Sequence, residues 1–137
     1  MNHEKAIKAL LKNSGAAGQP LSTARGGFKG KWTNQYGSYA DFVFTGSSVS
    51  GSYTTVVSGT GQPLTGPISG YIADDIIAFS VLWPVKPECI TSWVGQFVDV
   101  NGTLTLKTLW QIVNNLPDAS EPTGLWTSIL AGADEFT

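Results

Sequence analysis

From residue 28 onward the chain is cut at short, regular intervals by turn signals, and between the cuts apolar and polar residues alternate. Alternation with a period of two is what a strand with one covered face requires. The breaks between the runs demand no crossover connection, so each strand can pair antiparallel with the next. The pattern predicts eight strands, at 28–36, 38–45, 48–56, 63–72, 75–83, 90–99, 103–113 and 124–136. The breaks are Gly37, Gly46-Ser47, Ser58 to Gly61, Ala73-Asp74, Pro84 to Pro87, Asn101-Gly102 and Asn114 to Pro122. Asn101-Gly102, set between two alternating runs, is a strong hairpin signal because both residue types tolerate positive φ. Every strand can pair with the next, which is the pattern of an antiparallel sandwich or barrel. The fold class expected is all-β: an eight-stranded antiparallel up-and-down barrel, wide enough inside to be filled or to hold one small ligand. Closure also removes the sheet edges that a weakly charged chain would have to protect.

Composition agrees with this and narrows the function. Charged residues make up 13% of the chain, against roughly 25% in ordinary globular proteins. Sixteen glycines and 11% aromatic residues favour strands and turns. The net charge is −2 and the chain carries no basic stripe, so nucleic acid is not an expected partner. No apolar run reaches the ~20 residues of a membrane-spanning helix. The one cysteine, Cys89, has no partner for an internal disulfide; it reads as a small buried side chain or as a pocket-lining thiol. His3 is the single histidine. Metal sites built from His and Cys, and Ser–His or Cys–His nucleophile pairs in the barrel, are therefore not expected, and neither is an enzyme.

Residues 1–27 stand apart as an N-terminal extension, partly helical or disordered, before a barrel domain at 28–137. Glu4 to Lys12 has the apolar spacing of a short amphipathic helix, and Ser14 to Gly27 reads as a linker. Lys8 and Lys12 interrupt what a secretory signal would keep apolar. The extension reads as a tail or as a helix that docks on a neighbouring subunit or the barrel mouth.

Parity assigns side chains to the barrel interior. Trp32, Asn34 and Tyr36 share one face, as do Tyr53 with Thr55, and Phe79 with Val81 and Trp83. Cys89, Thr91, Trp93 and Gly95 share another; so do Leu106, Thr108, Trp110 and Ile112, and Leu130, Gly132, Asp134 and Phe136. A purely structural core would use Val, Ile and Leu at such positions. Polar groups inside a barrel must be paired or be waiting for a ligand, and Asn34, Ser38, Tyr53, Thr55, Thr91, Thr108 and Asp134 are the candidates. The opposite faces carry apolar residues such as Val43, Val94 and Leu109, as expected of an oligomer.

These segments resemble the avidin and streptavidin family of biotin-binding proteins over residues 28–137. The likeness is carried by Gly30-Lys31-Trp32-Thr33-Asn34 with Gly37-Ser38, Gly51-Ser52-Tyr53-Thr54-Thr55, Pro63-Leu64-Thr65-Gly66 and Phe79-Ser80-Val81-Leu82-Trp83. It continues through Thr91-Ser92-Trp93-Val94-Gly95-Gln96-Phe97, Asn101-Gly102, Leu106-Lys107-Thr108-Leu109-Trp110, and Trp126 with Gly132-Ala133-Asp134-Glu135-Phe136-Thr137. The resemblance implies an avidin-like barrel that binds biotin as a ligand, without catalysis and without a cofactor. It implies that Asn34, Ser38 and Tyr53 donate to the ureido oxygen, and that Asp134 and Thr55 accept the two ureido N–H groups. Thr91 then lies near the ring sulfur, Trp83, Trp93 and Trp110 box the ligand with Ile112 beside them, and Trp126 reaches a neighbouring subunit's site. Val57, Ser58 and Gly59 fall in the loop that closes over the ligand. Tyr36 stands where the family usually has a small aliphatic residue, and Cys89 where a serine often meets the ligand carboxylate; a thiol is the poorer donor. A homo-oligomer, tetramer in preference to dimer, and a secreted or periplasmic location are also implied. The alternative left open is a lipocalin-like carrier of another small apolar ligand.

Overall fold

The computed structural model describes residues 2–12, 28, 30–56, 61–120 and 128–137. A ten-residue helix, α1 (His3–Lys12), coincides with the predicted amphipathic segment and buries none of its residues. Eight strands follow: β1 (Lys31–Thr33), β2 (Tyr39–Thr45), β3 (Ser48–Thr55), β4 (Leu64–Ala73), β5 (Ile76–Trp83), β6 (Cys89–Val100), β7 (Thr103–Asn114) and β8 (Ile129–Phe136). They form one sheet in sequence order with every neighbouring pair antiparallel. The sheet closes on itself where Asn34 bridges Phe136 and where Thr33 and Thr137 exchange two backbone hydrogen bonds of 2.9 Å. The up-and-down barrel expected from spacing is therefore the fold.

Two strands are markedly shorter than expected. β1, expected over 28–36, runs only from Lys31 to Thr33. The Asn34 side chain stops it: Oδ1 accepts the backbone N–H groups of Tyr36 and Ser38, both at 3.0 Å, so the chain folds around an Asx-type turn rather than extending. β8, expected over 124–136, begins at Ile129, and a 3-10 turn at Asp118–Ser120 lies in the connection before it; residues 121–127 lie outside the described set.

The barrel has two unlike ends. At one, β2–β3, β4–β5 and β6–β7 are joined by two residues each. Asn101 and Gly102 take φ of 53° and 86°, the paired positive values that match hairpin twist. At the other lie the four longer connections, 34–38, 56–63, 84–88 and 115–128. The tight end is filled with rings. Phe28 stacks on Phe97 at 4.0 Å, Trp32 meets Phe97 edge-on at 5.0 Å, and Phe42 meets Phe79 at 5.0 Å. Such offset and edge contacts are the favourable arrangements of aromatic quadrupoles. The column continues upward as Phe79 stacks on Trp93 at 4.9 Å and Trp93 on Tyr53 at 4.7 Å. Tyr53 is where the packed floor becomes the floor of a cavity.

Candidate functional site

The cavity opens at the long-loop end and has a volume of about 620 Å³, within the range of small-molecule sites. It is lined by Asn34, Tyr36, Ser38, Tyr53, Thr55, Leu64, Trp83, Val85, Cys89, Thr91, Trp93, Trp110, Ile112, Asn114, Leu130 and Asp134. Of the thirteen candidate site residues named from the sequence that lie among the described residues, all but Thr108 meet in one place. Val57, Ser58, Gly59 and Trp126 lie outside the described residues. Leu64, Val85, Asn114 and Leu130 were not singled out. Their signal was parity: Asn114 continues the Trp110, Ile112 face, Val85 follows Trp83 in phase, and Leu130 shares the face of Asp134.

The polar groups come from β8 and from the β1–β3 side. Asn34 is oriented by its own turn. Because its carbonyl oxygen is held by two backbone N–H groups, its Nδ2 must point the other way, and it donates to Tyr53 Oη at 3.3 Å. The phenol oxygen thus accepts from Asn34 and keeps its own proton as a donor. Burial, then the nearby Asp134 charge, holds the Tyr53 hydroxyl well above the usual tyrosine range, so it remains a donor. Ser38, buried, accepts the Val56 N–H at 3.1 Å and donates to Thr55 Oγ1 at 3.3 Å.

Asp134 is buried on β8 and held from two sides. Trp93 Nε1 donates to Oδ2 at 3.1 Å and Gln35 Nε2 to Oδ1 at 3.2 Å. Gln35 also accepts the Glu135 N–H at 3.1 Å and donates weakly to the Ala133 carbonyl at 3.5 Å. Its amide thus prolongs the β1–β8 seam in the manner of a peptide group, where the strand itself has turned away. Thr108, although inward, donates to the Asp134 carbonyl at 3.0 Å; it supports β8 and does not line the cavity.

The apolar wall comes from β5 to β7. The Trp83 indole N–H donates to Thr91 Oγ1 at 2.9 Å, which fixes both side chains, and its ring stands perpendicular to Tyr53 at 5.8 Å. The Trp110 indole packs against Gly132: a Cβ there would fall 2.4 Å from Trp110 Cζ2. Cys89 is a buried cavity-lining thiol, which realises both readings made of it, and burial pushes its pKa up. Tyr36 sits at the rim with 67% of its surface exposed.

Among the described residues, no buried side-chain nitrogen or oxygen lacks a hydrogen-bond partner, no cluster of His, Cys, Asp and Glu could hold a metal ion, and no helix is long and apolar enough to cross a membrane. The arrangement is that of a preorganised receptacle, with donors at one side, a carboxylate beside them, and indoles facing both.

Comparison with known proteins places this architecture. Residues 22–137 match the model of the Avidin family. Hoefavidin of Hoeflea phototrophica is 39% identical over 94 residues, covering 59% of this chain and 57% of that protein, so the match spans little more than half of that relative. Avidin-related protein 4/5 of Gallus gallus is 30% identical over 136 residues, covering 93% of this chain and 88% of that one. Among solved structures, a shwanavidin variant in complex with biotin superposes with a TM-score of 0.60 at 31% identity, covering 77% of this chain and 90% of that chain. With the barrel, its strand order and the family match in agreement, the chain belongs to the avidin family.

Proposed function

We propose that this protein binds biotin in the cavity at the long-loop end, as a non-catalytic, high-affinity receptor. The observation that carries the reading is the convergence of Asn34, Ser38, Tyr53 and Asp134 on one side of a cavity otherwise walled by Trp83, Trp93 and Trp110. In this reading Asn34 Nδ2, the Ser38 hydroxyl and the Tyr53 hydroxyl donate to the ureido oxygen, while Asp134 and Thr55 accept the ureido N–H groups. The Ser38–Thr55 hydrogen bond is the one the ligand exchanges: its carbonyl takes the Ser38 proton and its N–H takes the Thr55 oxygen. One internal bond gives way to two. Three donors on one oxygen and a carboxylate on the opposite side polarise the ureido group, and charge-assisted bonds of that kind are the stronger ones. They act on groups already held in place, so little ordering cost remains on binding. Thr91 faces the ring sulfur, and the indoles cover the bicycle and the chain, at about 25 cal/mol per Å² of apolar area.

The same reading makes the protein a homo-oligomer, tetramer in preference to dimer. Support comes from the outer surface. Tyr71, Ala78, Val94, Leu109 and Ala133 stand opposite one another across β4 to β8, with Tyr71 and Leu109 exposed by 72% and 66%. A second row, Leu82, Ile90, Val113 and Ile129, runs parallel to it. A row containing Ser80, Ser92 and Gln111 separates them. Apolar rows of this length are what a subunit interface covers. Secretion or a periplasmic location belongs to the reading by family likeness.

Calorimetric titration with biotin tests it: one ligand per chain is expected, and no heat with no thermal shift at micromolar biotin would overturn it. Light scattering is expected to give a tetramer mass, and Trp126→Ala to weaken biotin binding. A monomer mass with unchanged affinity in the variant would refute the shared site.

A further inference from the structure

The rings that line the cavity are not all in the same state. Tyr53, Trp83 and Trp93 are 3%, 8% and 4% exposed. Trp93 stacks on Tyr53 and Trp83 stands edge-on to it, so these three are already packed into the wall. Tyr36 lines the same cavity but keeps 67% of its surface in water. Leu130, near the start of β8, also lines it and is exposed. A large ring standing in water at the edge of a cavity has apolar area still to bury, at about 25 cal/mol per Å².

The backbone that carries this ring is firmly tied. In the 34–38 turn the Asn34 N–H donates to the Ser38 carbonyl at 2.8 Å and the Gly37 N–H to the Asn34 carbonyl at 3.0 Å. Asn34 Oδ1 accepts the N–H groups of Tyr36 and Ser38, both at 3.0 Å. Gly37 closes the turn with a φ of 89°, a conformation that glycine adopts without steric cost. The Asn34 amide that holds Tyr36 through Oδ1 directs its Nδ2 to Tyr53 Oη. One amide group therefore sets both the backbone of Tyr36 and a donor of the cavity. Asn34 and Ser38, on either side of Tyr36, line the cavity with it.

We infer, on the biotin reading above, that Tyr36 is a specificity-determining residue whose ring folds over the ureido bicycle of the bound ligand as an aromatic cover. The backbone stays in place and the two side-chain torsions do the moving. Tyrosine suits this because it brings a large contact area for little lost freedom. The cover comes down on a ligand already seated, so it slows departure more than it speeds arrival. It lies over the bicycle, beside Asn34 and Ser38, so its effect does not depend on how the tail ends.

Dissociation of biotin from Tyr36→Ala is expected to be about 5- to 30-fold faster than from the unmodified sequence, with an association rate changed by less than about twofold. Biotin methyl ester should lose by the same factor, and Tyr36→Phe should dissociate within about twofold of the original rate. An unchanged rate in Tyr36→Ala overturns the proposal. So does a loss in Tyr36→Phe as large as in Tyr36→Ala, which would make the hydroxyl the contact, or a loss confined to the free acid, which would place the ring on the tail. A lower oligomer mass in Tyr36→Ala also overturns it, by assigning the ring to a subunit contact. Peptide-mapped tyrosine nitration gives an independent reading. Biotin is expected to protect Tyr36 and to leave the reactivity of Tyr71, on the outer face of β4, unmoved. Equal nitration of Tyr36 with and without biotin, in protein that calorimetry shows to have bound it, overturns the cover and leaves the biotin reading standing. Protein that takes up no biotin overturns the biotin reading itself.

Discussion

The two ends of this barrel solve opposite problems with the same strands. At the tight-hairpin end, rings meet rings and connections are two residues long, so little is left to move. At the long-loop end the same strands carry hydroxyls, amides, a thiol and a carboxylate, and the space above them is open. Tyr53 and Trp93 belong to both, as the top of the ring column and the base of the cavity. The difference teaches that the site is not an absence of packing. The closed end fixes the strand positions, and the open end uses that rigidity to hold polar groups at set distances before any ligand arrives.

The comparison is broken most violently from below. Trp32 is 1% exposed, and Trp32→Ala should cost about 3–5 kcal/mol of folding stability, a large share of the roughly 5–15 kcal/mol a domain of this kind holds. Urea unfolding followed by tryptophan fluorescence would measure it. If the floor serves the site only through rigidity, the folded fraction of the variant should still bind biotin.

The reverse perturbation comes from the open end. Asp134→Ala should cost about 2–3 kcal/mol in biotin binding, as the loss of a charged hydrogen bond does. That corresponds to dissociation roughly 30- to 150-fold faster. The drop in unfolding midpoint should be smaller than for Trp32→Ala. An unchanged dissociation rate would remove Asp134 from its assigned role.

What the sequence made legible follows from this division. Period-two alternation does not depend on the ligand, so strand order, the Asn101-Gly102 hairpin and the inward faces of β5 to β8 could be read directly. Parity fails where a strand stops. Gln35 sits out of phase with Trp32 and Asn34 and so reads as outward, yet it reaches Asp134 because the backbone turns at Asn34. Thr108 fails in the other direction: it is inward and polar like Thr91, but its hydroxyl is spent on the Asp134 carbonyl. Phase tells which face a side chain occupies, while its hydrogen-bond partner depends on register between distant strands, which no local pattern encodes.

A third perturbation separates shape from chemistry at the open end. Gly132 carries no functional group, yet a Cβ there would lie 2.4 Å from Cζ2 and 2.8 Å from Cε2 of Trp110. Gly132→Ala must therefore push the indole off its present position, since β8 is paired along its length with β7. Overpacking of this kind costs about 1–3 kcal/mol, and it should fall mainly on biotin affinity because Trp110 lines the cavity. Titration beside the Trp emission spectrum would detect it; normal affinity would mean that Trp110 has room to yield.

The smallest expected effect tests the residue that joins the two ends. Tyr53 has its hydroxyl pKa raised above the ordinary value of 10.0, by burial first and the Asp134 charge second. A raised pKa in the folded state means that the neutral phenol is favoured there. Its contribution is fully present below pH 10 and is lost as pH climbs above the unfolded value, because the unfolded chain releases that proton first. At pH 11 the loss should be on the order of 1 kcal/mol. Tyr53→Phe should flatten this alkaline slope while also removing the acceptor of Asn34 Nδ2, so the variant should show weaker biotin binding at neutral pH together with a shallower decline of the unfolding midpoint above pH 10. A slope that survives the substitution would place the alkaline sensitivity elsewhere and leave Tyr53 as part of the packed column alone.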